Sequence, residues 1–389
     1  MKIIIAPDSF KESLTASEVS EAIEEGLKRV FPKASYVKIP MADGGEGTVQ
    51  SLVYATGGRI LTKTVTGPLG EPVESFFGIL GNEKTAIIEM AAAAGLDQVR
   101  PSNRNPLITT TYGVGELILE ALDHGIEKIC IGLGGSATND GGVGMLQALG
   151  VSLLTNDGTE IGFGGSELAN IKTIDVSKLD QRLKSVTIEV ACDVDTLLTG
   201  PEGASAIFGP QKGATPEMVE LLDRNLTHFA DCVESTLGKD VRHVPGSGAA
   251  GGLGFGILAF LNSRLKSGVD LVIEATQLEK HMVDADLVIT GEGKIDSQTI
   301  YGKTPIGVAR TSKKYQIPVI GIAGHLGSGS EVVQENGIDA LFSIVPGVVD
   351  LENALSNARE YVVKCAENVG IVMRIGEDRS LVPRSQSYK

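Results

Sequence analysis

The chain has 389 residues, and its 34 lysines and arginines against 49 aspartates and glutamates leave a formal net charge of −15. A surface of that sign repels phosphate backbones and anionic membranes, so neither nucleic acid nor membrane is expected as a partner. The 42% hydrophobic content excludes a disordered chain, and the outlier, 49 glycines, lacks the period of three that marks collagen.

Residues 2–6 predict a continuous apolar strand. Thr15 to Glu18 has the capping-box pattern, and Val19, Ala22, Ile23, Leu27 and Val30 draw one apolar helical face behind it. A strand over 36–41 and a helix over about 46–55 follow, the alternation of a parallel sheet covered on both faces. From 58 to 90 the pattern changes to short β-rich runs at 59–66, 74–80 and 85–90 between glycine turns, which predicts antiparallel hairpins in a different domain. A helix over 114–123, a strand over 127–133, a helix over 142–149 and a strand over 186–192 continue the chain. Thr215-Pro216 opens a helix, and the small-residue stretch 246–261 reads as a closely packed one. Buried strands at 285–290, 317–322 and 339–345 then restore the parallel rhythm.

The expected fold class is therefore α/β. A discontinuous flavodoxin-like or Rossmann-like parallel-sheet domain (1–57 and 281–375) carries an inserted mixed α/β domain (58–280), followed by a polar tail (376–389). Within the tail, Leu381-Val382-Pro383-Arg384 resembles a protease-recognition sequence left by cloning. The four cysteines are scattered, the histidines show no metal-binding spacing, and no apolar run reaches the roughly 18 residues of a membrane span. With a strand at the very start and no signal-like segment, a cytoplasmic location is expected.

Several glycine clusters follow predicted strands, which in a doubly wound sheet places them at the carboxyl edge where ligands bind. Five strand-end loops matter: 42–48, 132–142, 291–296 and 321–329, which carry glycine, and 6–11, which does not. The 132–142 stretch follows a strand and precedes a helix, so its amides could cradle phosphate, with the helix dipole favouring the negative charge. Asn139 and Asp140 add oxygens suited to magnesium; the plain alternative is a tight turn with polar caps. Asp8, Ser9 and Lys11 form an acid–hydroxyl–cation set after the first strand, against the alternative of a solvated turn. Asp193 and Asp195 could hold a cation or abstract a proton, or be ordinary turn aspartates. Asp296 is a candidate base with Lys294 beside it as charge stabiliser, and Glu89 reads as a paired or solvated strand-end carboxylate.

Two nucleotide-like strings are weak. Gly132-x-Gly134-x-x-Ala137 fits the relaxed dinucleotide fingerprint, but its partner acid, Asp157, sits in an Asn-Asp-Gly hairpin turn. Gly302-Lys303-Thr304 is similar to the end of a Walker A loop, yet Ser297 stands where that loop needs glycine. Thr304-Pro305 reads instead as a helix start, where Lys303 could meet a phosphate.

Taken together, the motifs resemble the bacterial glycerate kinase family of the glucarate/glyoxylate-degradation type. The resemblance runs to about residue 375 through Pro7 to Lys11, Met41 to Thr48, Gly134 to Gly142, Phe208 to Ala214, Gly248 to Gly254 and Thr290 to Asp296. The family often has glycine where this chain has Glu12, and the stretch 196–199 departs from its usual Asn-Pro-Leu. The resemblance implies ATP-dependent phosphorylation of D-glycerate, with the 2-hydroxyl favoured over the 3-hydroxyl, in an interdomain cleft of a two-domain fold. On that footing Gly134, Gly135, Ser136, Ala137 and Thr138 are expected to hold ATP phosphates, and Asp140 or Asp193 to ligate Mg²⁺. Lys11 or Lys294 would neutralise the substrate carboxylate or the moving phosphoryl group, and Asp296 or Asp8 would be the base. Ser9, Asp43 and Glu46 are expected to contact substrate, and a homo-oligomer is left open. The rival readings are a nicotinamide-dependent hydroxyacid oxidoreductase and a non-catalytic small-acid-binding protein.

Overall fold

The computed structural model describes residues 1–380, so the sequence at 381–384 lies outside the described residues. Its strands are β1 (Lys2–Ile5), β2 (Ser35–Lys38), β3 (Arg59–Thr66), β4 (Pro72–Ile79), β5 (Thr85–Glu89), β6 (Lys128–Gly132), β7 (Ser152–Leu154), β8 (Thr173–Asp175), β9 (Thr187–Ala191), β10 (Ser263–Lys266), β11 (Leu287–Ile295), β12 (Val319–Leu326) and β13 (Ala340–Ser343). The chain divides into two compact units, one made of Met1–Asp43 with the chain from Val272 onward, the other of Gly44–Leu271.

The first unit is built on a five-stranded parallel sheet in the order β13-β12-β11-β1-β2. Counted along the chain this is the flavodoxin-like order, and the expected α/β class holds. Ile3 and Ile5 of β1 are fully buried with Val19, Ile23 and Leu27 of the helix Ala16–Lys28 and with Val362 and Ala366 of the C-terminal helix Ala358–Ser380. The capping box at Thr15 forms as the sequence predicts, the Thr15 hydroxyl accepting from the Glu18 amide while the Glu18 carboxylate accepts from the Thr15 amide.

Two of the expected glycine loops are strand. β11 runs on through Gly291 and Glu292 to Ile295, and β12 through Gly324 to Leu326, with Lys294 opposite His325. A β-carbon at Gly291 would strike the Ile322 carbonyl, so glycine here admits a close cross-strand approach and does not open a loop.

The second unit holds a six-stranded sheet in the order β10-β9-β6-β5-β4-β3, in which β3, β4 and β5 are antiparallel and β5, β6, β9 and β10 run parallel. The hairpins expected between 58 and 90 are thus one edge of a mixed sheet, joined to its parallel half through β5. The helix Thr48–Thr56 packs on β4 and β5, and β7 and β8 form a small antiparallel pair. β10 escapes sequence reading because Arg264 and Lys266 give it an alternation without an apolar face.

Those two cations answer an acid in the neighbouring strand. Glu189, fully buried in β9, is ion-paired with Lys128 at 2.6 Å, Lys266 at 2.9 Å and Arg264. Burial alone would raise its pKa, but hydrogen bonds from Lys128, Lys266 and Arg264 outweigh that and hold it at about 2. Glu189→Gln is expected to cost about 3 kcal/mol in urea unfolding at neutral pH, because it strands three cations around a neutral group. Since the folded-state pKa is depressed, this contribution is complete above the ordinary carboxylate range and is lost as pH falls toward 2. An unchanged midpoint would refute the hub.

Candidate active site

In the first unit the strand order reverses at β1, which has β2 on one side and β11 on the other, the topological switch point where doubly wound sheets bind ligands. The chain beyond β1 keeps to the sheet edge, the Asp8 amide donating to the Gly291 carbonyl and the Met41 amide to the Pro7 carbonyl, each within 2.9 Å. This lays Asp8 between the segments that carry Asp43 and Glu292.

Asp8 is partly buried. Its Oδ2 accepts from the Thr304 hydroxyl at 2.6 Å, and its Oδ1 from the Ser9 amide at 2.6 Å and hydroxyl at 3.3 Å. Burial, then the charge of Asp43, lifts its pKa to about 6, Glu292 adding to the rise and the hydrogen bonds from Thr304 and Ser9 opposing it. Glu292 accepts from the Thr299 hydroxyl at 2.7 Å and from Lys303 at 3.2 Å, and burial raises its pKa as well. Asp296 differs: its Lys294 partner at 2.8 Å, then the Gln298 amide, hold it below the usual range. Lys11 is exposed on the loop after β1. Beside it, Glu12 has φ +64°, the left-handed region that favours the glycine the resemblance leads one to expect there. Thr304 is not the helix cap the sequence suggests. Lys303 occupies that position, and the Thr304 side chain is spent on Asp8 instead.

In the second unit, register aligns Glu89, Gly132, Ala191 and Lys266 across the carboxyl edge of the parallel strands. The turn after β6 leaves Gly134 and Gly135 exposed, and among the described residues their amides find no acceptor. Its other atoms are held: Leu96 donates to the Gly135 carbonyl at 2.8 Å and Ala137 to the Ala94 carbonyl at 2.9 Å. From below comes the helix Ala249–Phe260, whose backbone turns left-handed from Ala250 to Gly252. A β-carbon at Gly251 would strike the Thr138 carbonyl, which accounts for the small-residue run there.

The helix dipole does not serve this turn as expected. The helix Val143–Ala148 begins only after it, and its first amides are taken by Asp140. The wholly buried Asp140 carboxylate accepts from the Thr111 amide and hydroxyl at 2.8 Å, Gly142 at 3.1 Å and Gly144 at 3.3 Å. Burial raises its pKa against those bonds. Glu89 likewise accepts the Val49 amide at 2.7 Å at the start of the helix Thr48–Thr56, which makes it the paired and not the solvated acid of the two sequence alternatives. Asp193 stands exposed after β9, with the Gly268 amide on its Oδ1 at 2.9 Å, and Glu46 is exposed ahead of Thr48. Asp157 lies in the turn closed by the Thr155 amide and Thr159 carbonyl, after a strand of the small antiparallel pair and not at the parallel strand end that a dinucleotide acid needs.

Sequence reasoning passed over Lys212 and Glu292. Lys212 is 2% exposed, and its ammonium donates to Ser136 Oγ at 2.8 Å and the Thr138 carbonyl at 2.7 Å. Nothing in a Gly-Pro-Gln-Lys-Gly string distinguishes a buried lysine from a solvated one. Glu292 was hidden by its glycine neighbours, which read as a loop.

Carboxylates gathered at the switch point of the first unit, and in the second unit a glycine turn with open amides, are features of an α/β enzyme. A family described as the glycerate kinase family matches residues 3–374. The chain is 60% identical to a glycerate kinase of Bacillus subtilis over 382 residues, 98% of this chain and all of that one. It is 54% identical to the glycerate 2-kinase of Escherichia coli K12, covering 97% of this chain and 99% of the other. A crystal structure from Salmonella typhimurium LT2, assigned to glycerate kinase 2, superposes with a TM-score of 0.91 at 54% identity, covering 97% and 99% of the two chains. The chain belongs to the glycerate kinase family and is a phosphotransferase with ATP as co-substrate.

If Asp140 holds the loop, Asp140→Ala should lower stability by about 2–3 kcal/mol in urea unfolding, since it leaves buried amides unsatisfied. A loss under about 0.5 kcal/mol, the range of an inconsequential surface change, would remove that role.

Proposed function

We propose that this protein phosphorylates D-glycerate at its 2-hydroxyl with ATP, and that Asp8 is the base. The observation that carries the assignment is the Asp8 carboxyl itself, at the switch point, oriented by Thr304 and Ser9 and lifted to about 6. A general base works best with a pKa near the operating pH, whereas Asp296, held down by Lys294, is poorly suited to take a proton. Asp296 instead orients Lys294, which with Lys11 neutralises the substrate carboxylate. Ser9, Asp43 and Glu46 contact substrate, and Gly134, Gly135 and Ser136 offer amides to the ATP phosphates. As the hydroxyl oxygen bonds to the γ-phosphorus, its proton passes to Asp8 and ADP leaves with the electrons of the broken bond.

Among the described residues no three His, Cys, Asp or Glu side chains group as a metal site. Magnesium that arrives on a nucleotide needs only one or two carboxylates, and Asp193, just past the end of the strand beside the turn, suits that demand while Asp140 is committed to amides. Bound there with ATP, Mg²⁺ supplies charge neutralisation at the phosphates. No helix among the described residues is long and apolar enough to cross a membrane. The four cysteines stand outside any disulfide, which fits a reducing, cytoplasmic setting.

Asp8→Asn should lower kcat by about 10²–10⁴-fold. The wild-type kcat/KM should rise with pH through about 6, because the base must first lose its proton, and the variant should lack that limb. Near-normal turnover in the variant would sink the assignment. Phosphorus NMR of the product should show 2-phosphoglycerate, and the 3-isomer would overturn the regiochemistry.

A further inference from the structure

Lys212 ends the 3-10 segment Pro210–Lys212, and its side chain runs inward to the back of the 132–142 loop. A lysine so buried ordinarily meets a carboxylate, because an unpaired ammonium is costly away from water. Here both hydrogen-bond acceptors belong to the glycine turn. Asp140, the acid whose charge it feels, has its oxygens engaged by Thr111, Gly142 and Gly144.

We propose that Lys212 is a positioning residue for the nucleotide: its ammonium locks the 134–138 turn so that the Gly134 and Gly135 amides face outward, and places a positive charge behind them. The proposal rests on the reading that this turn takes the ATP phosphates.

Four contacts hold the turn: the backbone pairing with Ala94 and Leu96, the Thr109 hydroxyl donating to the Ala137 carbonyl, the close approach of Gly251, and Lys212. Only the last brings charge. A chain of net charge −15 that binds a polyphosphate needs local cations, and a cation set behind open amides adds long-range attraction to their short-range hydrogen bonds. Burial drives the Lys212 pKa down to about 7, so retaining a charged group there is expensive, and packing alone would be better served by an apolar chain. Among the described residues, Thr138 Oγ1 and Asn139 Oδ1 of the same loop are buried without a hydrogen-bond partner, so the loop is not arranged for self-satisfaction.

The test compares Lys212→Met, Lys212→Arg and Gly135→Ala in the full chain. Gly135 has φ +74°, so an alanine there distorts the turn directly. MgATP affinity is read by calorimetry, KM for ATP and glycerate by steady-state assay, and folding by thermal melts. Lys212→Met is expected to weaken MgATP binding and raise the ATP KM at least tenfold, with the glycerate KM within twofold. Lys212→Arg, which keeps the charge, should recover at least threefold of the loss. Weakened ATP binding in Gly135→Ala with wild-type affinity in Lys212→Met would overturn the role of Lys212 alone. Wild-type affinity in both would overturn the phosphate reading of the turn and this inference with it. If both Lys212 variants lose thermal stability and change the two KM values equally, Lys212 is structural only and the proposal fails.

Discussion

Burying a carboxylate is unfavourable by several kcal/mol unless donors replace the water it loses, and that constraint organises the strand ends of this protein. Asp140 and Glu89 meet it with backbone amides at the starts of two helices, where amides would otherwise lack partners. The interaction satisfies both sides at once and settles where those helices begin. Asp8 meets the same constraint with one amide and two hydroxyls, and its burial together with two nearby acids lifts its pKa to about 6. The amide-held carboxylates build loops and helix starts, whereas Asp8 stands at the switch-point edge beside other acids.

Charge is managed by the same local means. The chain is strongly acidic, yet three cations converge on Glu189 within one sheet, and Lys294 and Lys303 each pair with an acid at the switch-point edge. Those pairs orient the cations while keeping them near exposed strand ends. The glycine turn offers backbone amides on its outer side with the Lys212 ammonium behind it, and this requires that the backbone be exposed at Gly134 and Gly135.

The periodic elements were legible in the sequence because their causes are local. A β-rich run beside glycine turns marks β3, the Thr15 capping box marks the first helix, and Thr215-Pro216 marks the helix Pro216–Leu237. The glycine clusters correctly indicated strand ends at 42–48 and 132–142. At 291–296 and 321–329 the same residue type marks tight pairing between β11 and β12, because glycine serves an open loop and a close cross-strand approach equally well.

The sequence by itself determined the α/β class, the flavodoxin-like strand count and the family, since those follow from periodicity and from contiguous motifs. Only the tertiary structure decided which acids are built in and which are poised. Asp140 and Asp296 read alike as loop aspartates, yet one is enclosed by amides and the other is tied to Lys294. It likewise turned Lys212 from an ordinary lysine into the buried support of the glycine turn. Burial and partnership are set by residues tens to hundreds of positions away, as with Thr304 and Asp8 or Lys212 and Ser136, and no local pattern encodes them.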